Sequence, residues 1–148
     1  MRRQGAGIDT SGMEFLYHPR SIAIVGASKN PDKPGGRPLA ALRSRGYAGE
    51  IFPINPRHRE VGGLVCHPTI LDVPGEVDMA IISVPAKAVP EIIGQCAEKG
   101  VKAAVIFSGG FSEVGAEGEL LQREIGEIAR RSGMRLLGPN SLGVIHVA

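Results

Sequence analysis

The sequence is poor in the residues that mark several common functions. Its 148 residues contain no Trp, and aromatics make up only 4%. Single-stranded nucleic acids are held by stacking bases on aromatic rings, so that function is a poor match. Charge of one sign is also lacking: 17 Lys and Arg stand against 15 Asp and Glu, a net +2, with no long basic run. That balance argues against non-specific DNA binding. Two cysteines, Cys66 and Cys96, are too few and too isolated for a disulfide scaffold or a zinc cluster. They read as buried free thiols of a cytoplasmic protein. No apolar run approaches the roughly 20 residues of a membrane span. Arg2-Arg3 is not followed by the apolar segment of a signal peptide.

Catalytic signatures are missing too. There is no G-x-x-x-x-G-K-[ST] loop, no G-x-S-x-G elbow and no His/Cys spacing suited to a metal. Ser108, Ser112 and Ser141 have no evident His–Asp pair. Glu113 and Glu117 stand at a helix start, where carboxylates serve as caps or dipole partners.

What is present is an alternation of short aliphatic runs with helix-compatible stretches. The 43% hydrophobic content with so few aromatics implies an aliphatic core, which suits a parallel sheet buried on both faces. Strands are expected at 21–25, 50–54, within 77–85, within 101–108 and at 134–137. Helices are expected at 36–44, 86–98 and 117–131, with Gly46, Gly100 and Gly133 as stops. Pro53 is awkward in a central parallel strand, so the second strand is expected either to lie near an edge or to begin late. Phe15 and Leu16 are expected to pack under the sheet edge. Residues 61–75 read as irregular, with a brief extended piece at 62–66 and one helical turn at 68–72. A final apolar piece occupies 144–147. The expected fold is α/β, a Rossmann-like, doubly wound, mostly parallel sheet with helices on both faces. Residues 1–12 read as a flexible tail and 13–148 as one domain.

Right-handed crossovers bring the carboxyl end of every strand to one edge of such a sheet. The loops there are 26–36, 55–60, 85–87, 108–115 and 138–143, and they hold the Gly-rich and polar segments. The first loop follows the strand Ser21-Ile22-Ala23-Ile24-Val25 and leads into a helix, a junction suited to phosphate through free amides and the helix dipole. It departs from G-x-G-x-x-G: Gly26 stands alone, and the next glycines are Gly35 and Gly36. The second strand ends in Asn55 with Arg57, His58 and Arg59 beyond, instead of the acid that binds an NAD ribose. Cations there favour a phosphorylated ribose, that of NADP or of coenzyme A.

Five segments in order carry a resemblance: Phe15-Leu16 through Gly26-Ala27-Ser28; Ile54-Asn55-Pro56; Val77-Asp78 through Val84-Pro85-Ala86; Ser108-Gly109-Gly110-Phe111-Ser112-Glu113; and Gly138-Pro139-Asn140-Ser141-Leu142-Gly143. Together they resemble the CoA-binding domain of the NDP-forming acyl-CoA synthetases, the group that includes the succinyl-CoA synthetase α-subunit and ADP-forming acetyl-CoA synthetases. The resemblance implies that Gly26, Ala27 and Ser28, with Lys29 beside them, offer amides, a hydroxyl and charge to the CoA phosphates. It implies that Asn55, Pro56 and Arg57 shape the second loop, Arg57 standing where relatives often carry Lys. Val84, Pro85 and Ala86 would line the adenosine or pantetheine path. Ser108, Gly109 and Gly110 would lie near the thiol, and Asn140 would brace the last loop. It further implies that CoA or acyl-CoA is the ligand and that a phosphohistidine domain and an ATP-grasp region lie elsewhere. No catalytic residue and no metal site is then expected in this chain, which would serve as one part of an acid–thiol ligase. None of His18, His58, His67 and His146 lies in a segment resembling the phosphohistidine loop. The other readings are a free-standing CoA-binding protein, an NADP-binding regulatory or oxidoreductase domain, an acetyltransferase relative of the synthetases, and a structural domain without a ligand.

Overall fold

The computed structural model describes residues 10–143. A five-stranded sheet forms its centre, built from β1 (Ser21–Val25), β2 (Glu50–Ile54), β5 (Met79–Ile82), β6 (Ala103–Ile106) and β7 (Arg135–Leu137). The spatial order is β2-β1-β5-β6-β7, and every pairing is parallel. The order reverses between β1 and β5, so the ligand crevice of a doubly wound sheet falls at their carboxyl ends. The helices are α1 (Glu14–Tyr17), α2 (Arg37–Ser44), α3 (Val89–Lys99) and α4 (Ala116–Ser132). The short pair β3 (Glu60–Val61) and β4 (Leu64–Val65) forms a hairpin of its own.

Alternate side chains of one strand point to opposite faces, and here both faces are buried. Ala23, Val25, Ala80, Ile82, Ala104 and Ile106 join Val89, Ile93 and Cys96 of α3 and Ile125 of α4. Ile22, Ile24, Met79, Ile81, Ala103 and Val105 join Leu16 of α1 and Leu39 of α2. The expected α/β architecture is therefore the observed one, with helices on both faces. Leu16 corrects the expectation of packing under an edge: its cluster partners come from β1, β5 and β6, the middle of the sheet. Neither thiol is paired, and both are buried. Burial pushes the Cys96 thiol up to about 12.

Local signals explain the boundaries. Gly100 (φ 82°) and Gly133 (φ 74°) end α3 and α4 in the left-handed region, where glycine carries no Cβ penalty. Pro90 sits in the first turn of α3, where a missing N–H costs nothing. Pro53 lies on the edge strand, as its missing donor requires. The outer side of that strand is not bare: the His67 amide donates to the Pro53 carbonyl and the Asn55 amide to the His67 carbonyl. The irregular region contains the β3–β4 hairpin and a 3-10 turn at Ile70–Asp72. Of the expected tail, residues 10–12 form a turn, and Arg135 Nε donates to the Ser11 carbonyl at 2.7 Å. Residues 1–9 and the apolar piece at 144–147 lie outside the described residues.

Candidate functional site

The loops at the carboxyl edge are tied to one another mainly through backbone groups. Ile54 at the end of β2 accepts from the amides of both Gly26 (3.0 Å) and Ala27 (3.2 Å). Asn55 then bridges the same two loops: its Nδ2 donates to the Ala27 carbonyl at 2.9 Å, and its Oδ1 accepts from the Arg57 amide at 2.9 Å. Gly26 also approaches the β5 end so closely that a Cβ there would stand 2.2 Å from the Ser83 carbonyl oxygen. Its φ of +83° independently favours glycine. The Ser108 hydroxyl clamps the third loop, donating to the Val84 carbonyl at 2.5 Å and accepting from the Val84 amide at 3.2 Å. The Asn140 amide donates to the Ser108 carbonyl at 2.9 Å, which joins the last loop to the fourth. The structure thus brings Gly26, Ala27, Ser28, Lys29, Asn55, Pro56, Arg57, Val84, Pro85, Ala86, Ser108, Gly109, Gly110 and Asn140 to one edge, on loops that follow five neighbouring strands.

The same bonds correct the expected phosphate cradle. The amides of Gly26 and Ala27 are occupied by Ile54, and that of Ser28 by the Gly35 carbonyl. Gly36 and Arg37 both donate to the Lys33 carbonyl, and Pro38 has no N–H at the start of α2. Within 26–37, only the Lys29 and Gly35 amides carry no described hydrogen bond. The physical reason is compaction of the long loop: a Cβ on Gly35 would stand 2.0 Å from the Gly26 carbonyl oxygen, and one on Gly36 would stand 1.9 Å from that of Asn30. Those glycines fold the loop onto itself instead of baring its amides. Side chains are left to meet an anion. The Ser28 hydroxyl accepts from the Asn30 amide, and its own proton remains free to donate. Lys29 is exposed, and its charge reaches the buried Cys66 thiol beneath the second loop. There it offsets part of the upward shift that burial imposes on that thiol. Arg57 and Arg59 are exposed on the neighbouring loop. Exposed cations are therefore carried by the loops that follow two neighbouring strands, β1 and β2.

The β5–β7 half of the edge is different. Its surface is built mainly of glycines, apolar groups, hydroxyls and neutral amides, and its charges are internally engaged: Lys87 pairs with Glu117 at 3.1 Å, and the Glu113 carboxylate accepts from the Gly110 amide. Phe111 is fully buried and anchors the glycine-rich loop, a burial worth roughly 3 kcal/mol. Gly118 of α4 makes room for it, since a Cβ there would stand 1.8 Å from the Phe111 carbonyl oxygen. Glu113 is a feature that spacing alone did not single out. Its Oε1 accepts from the Gly110 amide at 2.6 Å, and backbone amides hold its carboxyl below the usual range. The fragment Gly-Gly-Phe-Ser-Glu, with an acid three residues past a glycine, was the available signal.

A large concavity lies elsewhere, on the α1/α2 face. It is floored by Ile22, Met79, Ile81 and Val105 and reaches the edge only at Phe107, Leu142 and Gly143. Its arginines, Arg20 and Arg45, line its amino-terminal end. Among the described residues, no cluster of His, Cys, Asp or Glu suits a metal ion, and no helix is long and apolar enough to cross a membrane.

The model of a family described as a CoA binding domain matches residues 20–147. The chain belongs to that family. The CoA-binding domain is 49% identical over 131 residues to an ADP-forming acetate–CoA ligase II of Archaeoglobus fulgidus, an alignment covering 88% of this chain and 20% of the ligase. Among solved structures, it superposes on an acetyl-coenzyme A synthetase 1 of Ca. Korarchaeum cryptofilum with a TM-score of 0.82 and 48% identity, covering 86% of this chain and 28% of that one. A conserved hypothetical protein of Pyrococcus furiosus matches with a TM-score of 0.61 and 33% identity, and there the alignment covers 79% of this chain and 90% of the other. The domain spans 20% of the A. fulgidus ligase II and 30% of a P. furiosus ligase α-subunit.

Proposed function

We propose that this domain holds CoA across its carboxyl edge and presents the thiol to the machinery of an ADP-forming acyl-CoA ligase carried by further domains or subunits, an ATP-grasp unit among them. Lys29 and Arg57 receive the 3′-phosphate, Ser28 donates to the pyrophosphate, and the positive end of α2 favours both. The pantetheine arm follows Val84, Pro85 and Ala86 toward Ser108, Gly109, Gly110 and Asn140. Asn55 and Pro56, with the Gly26–Ala27 turn, set the distance between the two phosphate-facing loops. The observation that supports this reading is the division of one edge into a half at β1/β2 with exposed Lys29, Arg57 and Arg59 and a glycine-lined half at β5–β7 whose charges, Lys87 and Glu113, are taken up by Glu117 and the Gly110 amide. CoA has the same division, a phosphorylated nucleotide and an uncharged amide-bearing arm.

Calorimetry with CoA, 3′-dephospho-CoA, NADP and NAD tests it. CoA is expected to bind most tightly and 3′-dephospho-CoA at least tenfold more weakly, the worth of a charge-assisted contact. NADP or NAD binding as tightly as CoA would overturn the reading in favour of a dinucleotide site. No binding of any of the four supports a structural domain without a ligand. A free-standing CoA-binding protein is the second reading, favoured by the P. furiosus protein that this chain nearly spans. An antibody to this domain separates the two in a cell extract. A band of this chain's size supports the second reading, and a several-fold larger band supports the ligase.

A further inference from the structure

Glu113 has no part in the reading above, yet its geometry is specific. Its exposed carboxylate accepts from the Gly110 amide at 2.6 Å, and Gln122 of α4 accepts from the Ser112 amide at 3.2 Å. Between these ties Phe111 is locked into the core. Gly110 takes a positive φ of 99° and lies against Ala86 of the third loop, where an added Cβ would meet the Ala86 Cβ at 3.1 Å. Gly109, one residue earlier, faces a narrow gap. A Cβ on it would stand 3.3 Å from Asn140 Oδ1 and 3.4 Å from Glu113 Oε1. Asn140 is the one non-glycine with a positive φ among the described residues, at 54°, and no described hydrogen bond involves its carboxamide. Such a conformation is tolerated by Asn and recurs where a side chain must be aimed. Glu113 and Asn140 are therefore the two walls of a slot whose floor is Gly109.

We infer that Glu113 is a positioning residue that keeps the Gly109 slot open for the uncharged, amide-bearing arm of the ligand, with the Asn140 carboxamide turned toward that arm. The inference rests on the CoA reading and assigns the slot to the pantetheine half alone. Without an acceptor at 113, the Gly110 amide is unpaired and the 109–110 backbone is free to turn. Asn140 then has no fixed opposite wall. The nucleotide half, on loops that follow strands two and three positions away across the sheet, is untouched.

The test is a paired titration of the wild-type chain, Glu113→Ala, Glu113→Gln and Gly109→Ala with CoA and with adenosine 3′,5′-bisphosphate, which lacks the pantetheine arm. Glu113→Ala is expected to weaken CoA about tenfold, the worth of one hydrogen bond to a charged acceptor. Its affinity for the bisphosphate is expected to stay within about twofold of the wild type. Glu113→Gln keeps an acceptor at the same reach and should recover most of the loss. Gly109→Ala fills the slot and should reproduce the selective loss without touching Glu113. Equal weakening of both ligands by Glu113→Ala, or unchanged CoA affinity in both Glu113→Ala and Gly109→Ala, would overturn the assignment. A wild-type chain that binds the bisphosphate as tightly as CoA would overturn the slot but leave the nucleotide site standing. A wild-type chain that binds neither would overturn the CoA reading itself.

Discussion

The two edges of the sheet are both polar, for opposite reasons. At the amino-terminal edge, the polar groups satisfy one another. Asp78, 3% exposed, accepts from the Arg20 amide at 2.8 Å and from its guanidinium at 3.1 and 3.3 Å. Ser21 donates to the Glu76 carbonyl and accepts from the Asp78 amide. The Asp78 carbonyl accepts from Lys102 and Ala103. That knot closes the starts of β1, β5 and β6 with hydrogen bonds across more than fifty residues of sequence. At the carboxyl edge many backbone groups are also tied loop to loop, but Lys29, Arg57, Arg59 and Asn140 are exposed, with no described side-chain hydrogen bond. A fold uses its internal polar bonds to hold strands in register. On the proposed reading, charges that the fold does not use at the carboxyl edge are the ones that meet the ligand.

Substitutions should separate the two edges, one affecting stability and the other affinity. The largest effect is expected from Asp78→Ala, which leaves the Arg20 amide and guanidinium without their acceptor. A loss of about 3 kcal/mol in urea unfolding is expected, with CoA affinity of the folded fraction unchanged. The same group sets a pH dependence. Hydrogen bonds from Arg20 hold the Asp78 carboxyl below its ordinary range, against the opposing effect of burial. A carboxylate depressed in the folded state contributes stability above its unfolded value, and that contribution is lost as pH falls through the folded one. Wild-type stability should therefore decline below about pH 4, and Asp78→Asn should lack that component of the decline.

Gly26→Ala is the next largest, because it breaks the carboxyl-edge frame itself. Strain at positive φ and the collision with Ser83 should lower stability by about 2 kcal/mol and weaken CoA as well, since the first loop must move. Arg57→Ala should behave in the reverse sense to Asp78→Ala. Stability stays within about 0.5 kcal/mol, while CoA weakens at least tenfold and 3′-dephospho-CoA much less. Equal losses for both ligands would remove Arg57 from the 3′-phosphate. Ser28→Ala should give the smallest change, about threefold in CoA affinity, the lower end for one hydrogen bond.

Much of this was legible in the sequence. The aliphatic runs with little aromatic content pointed to strands buried on both faces, Gly100, Gly133 and Pro90 marked helix boundaries, and Pro53 marked an edge strand by backbone chemistry alone. The loops of the carboxyl edge followed from the right-handed crossover rule. Tertiary hydrogen bonds were not legible. Nothing in the run Gly26-Ala27-Ser28 shows that Ile54 will take its first two amides, because that depends on the register of β1 against β2. The Arg20–Asp78 knot joins residues 58 apart, and no local pattern announces it. Glu113 resembled any helix-start carboxylate until the positions of Gly110 and Asn140 were in view.

Backbone amide NMR of the chain titrated with CoA tests the division of labour between the edges most directly. The account predicts shifts concentrated at Ser28, Lys29, Arg57, Ala86, Gly109, Gly110 and Asn140, with Arg20, Asp78 and Lys102 unmoved. Shifts centred on the amino-terminal edge, or on the α1/α2 groove at Ile22, Met79 and Val105, would contradict it.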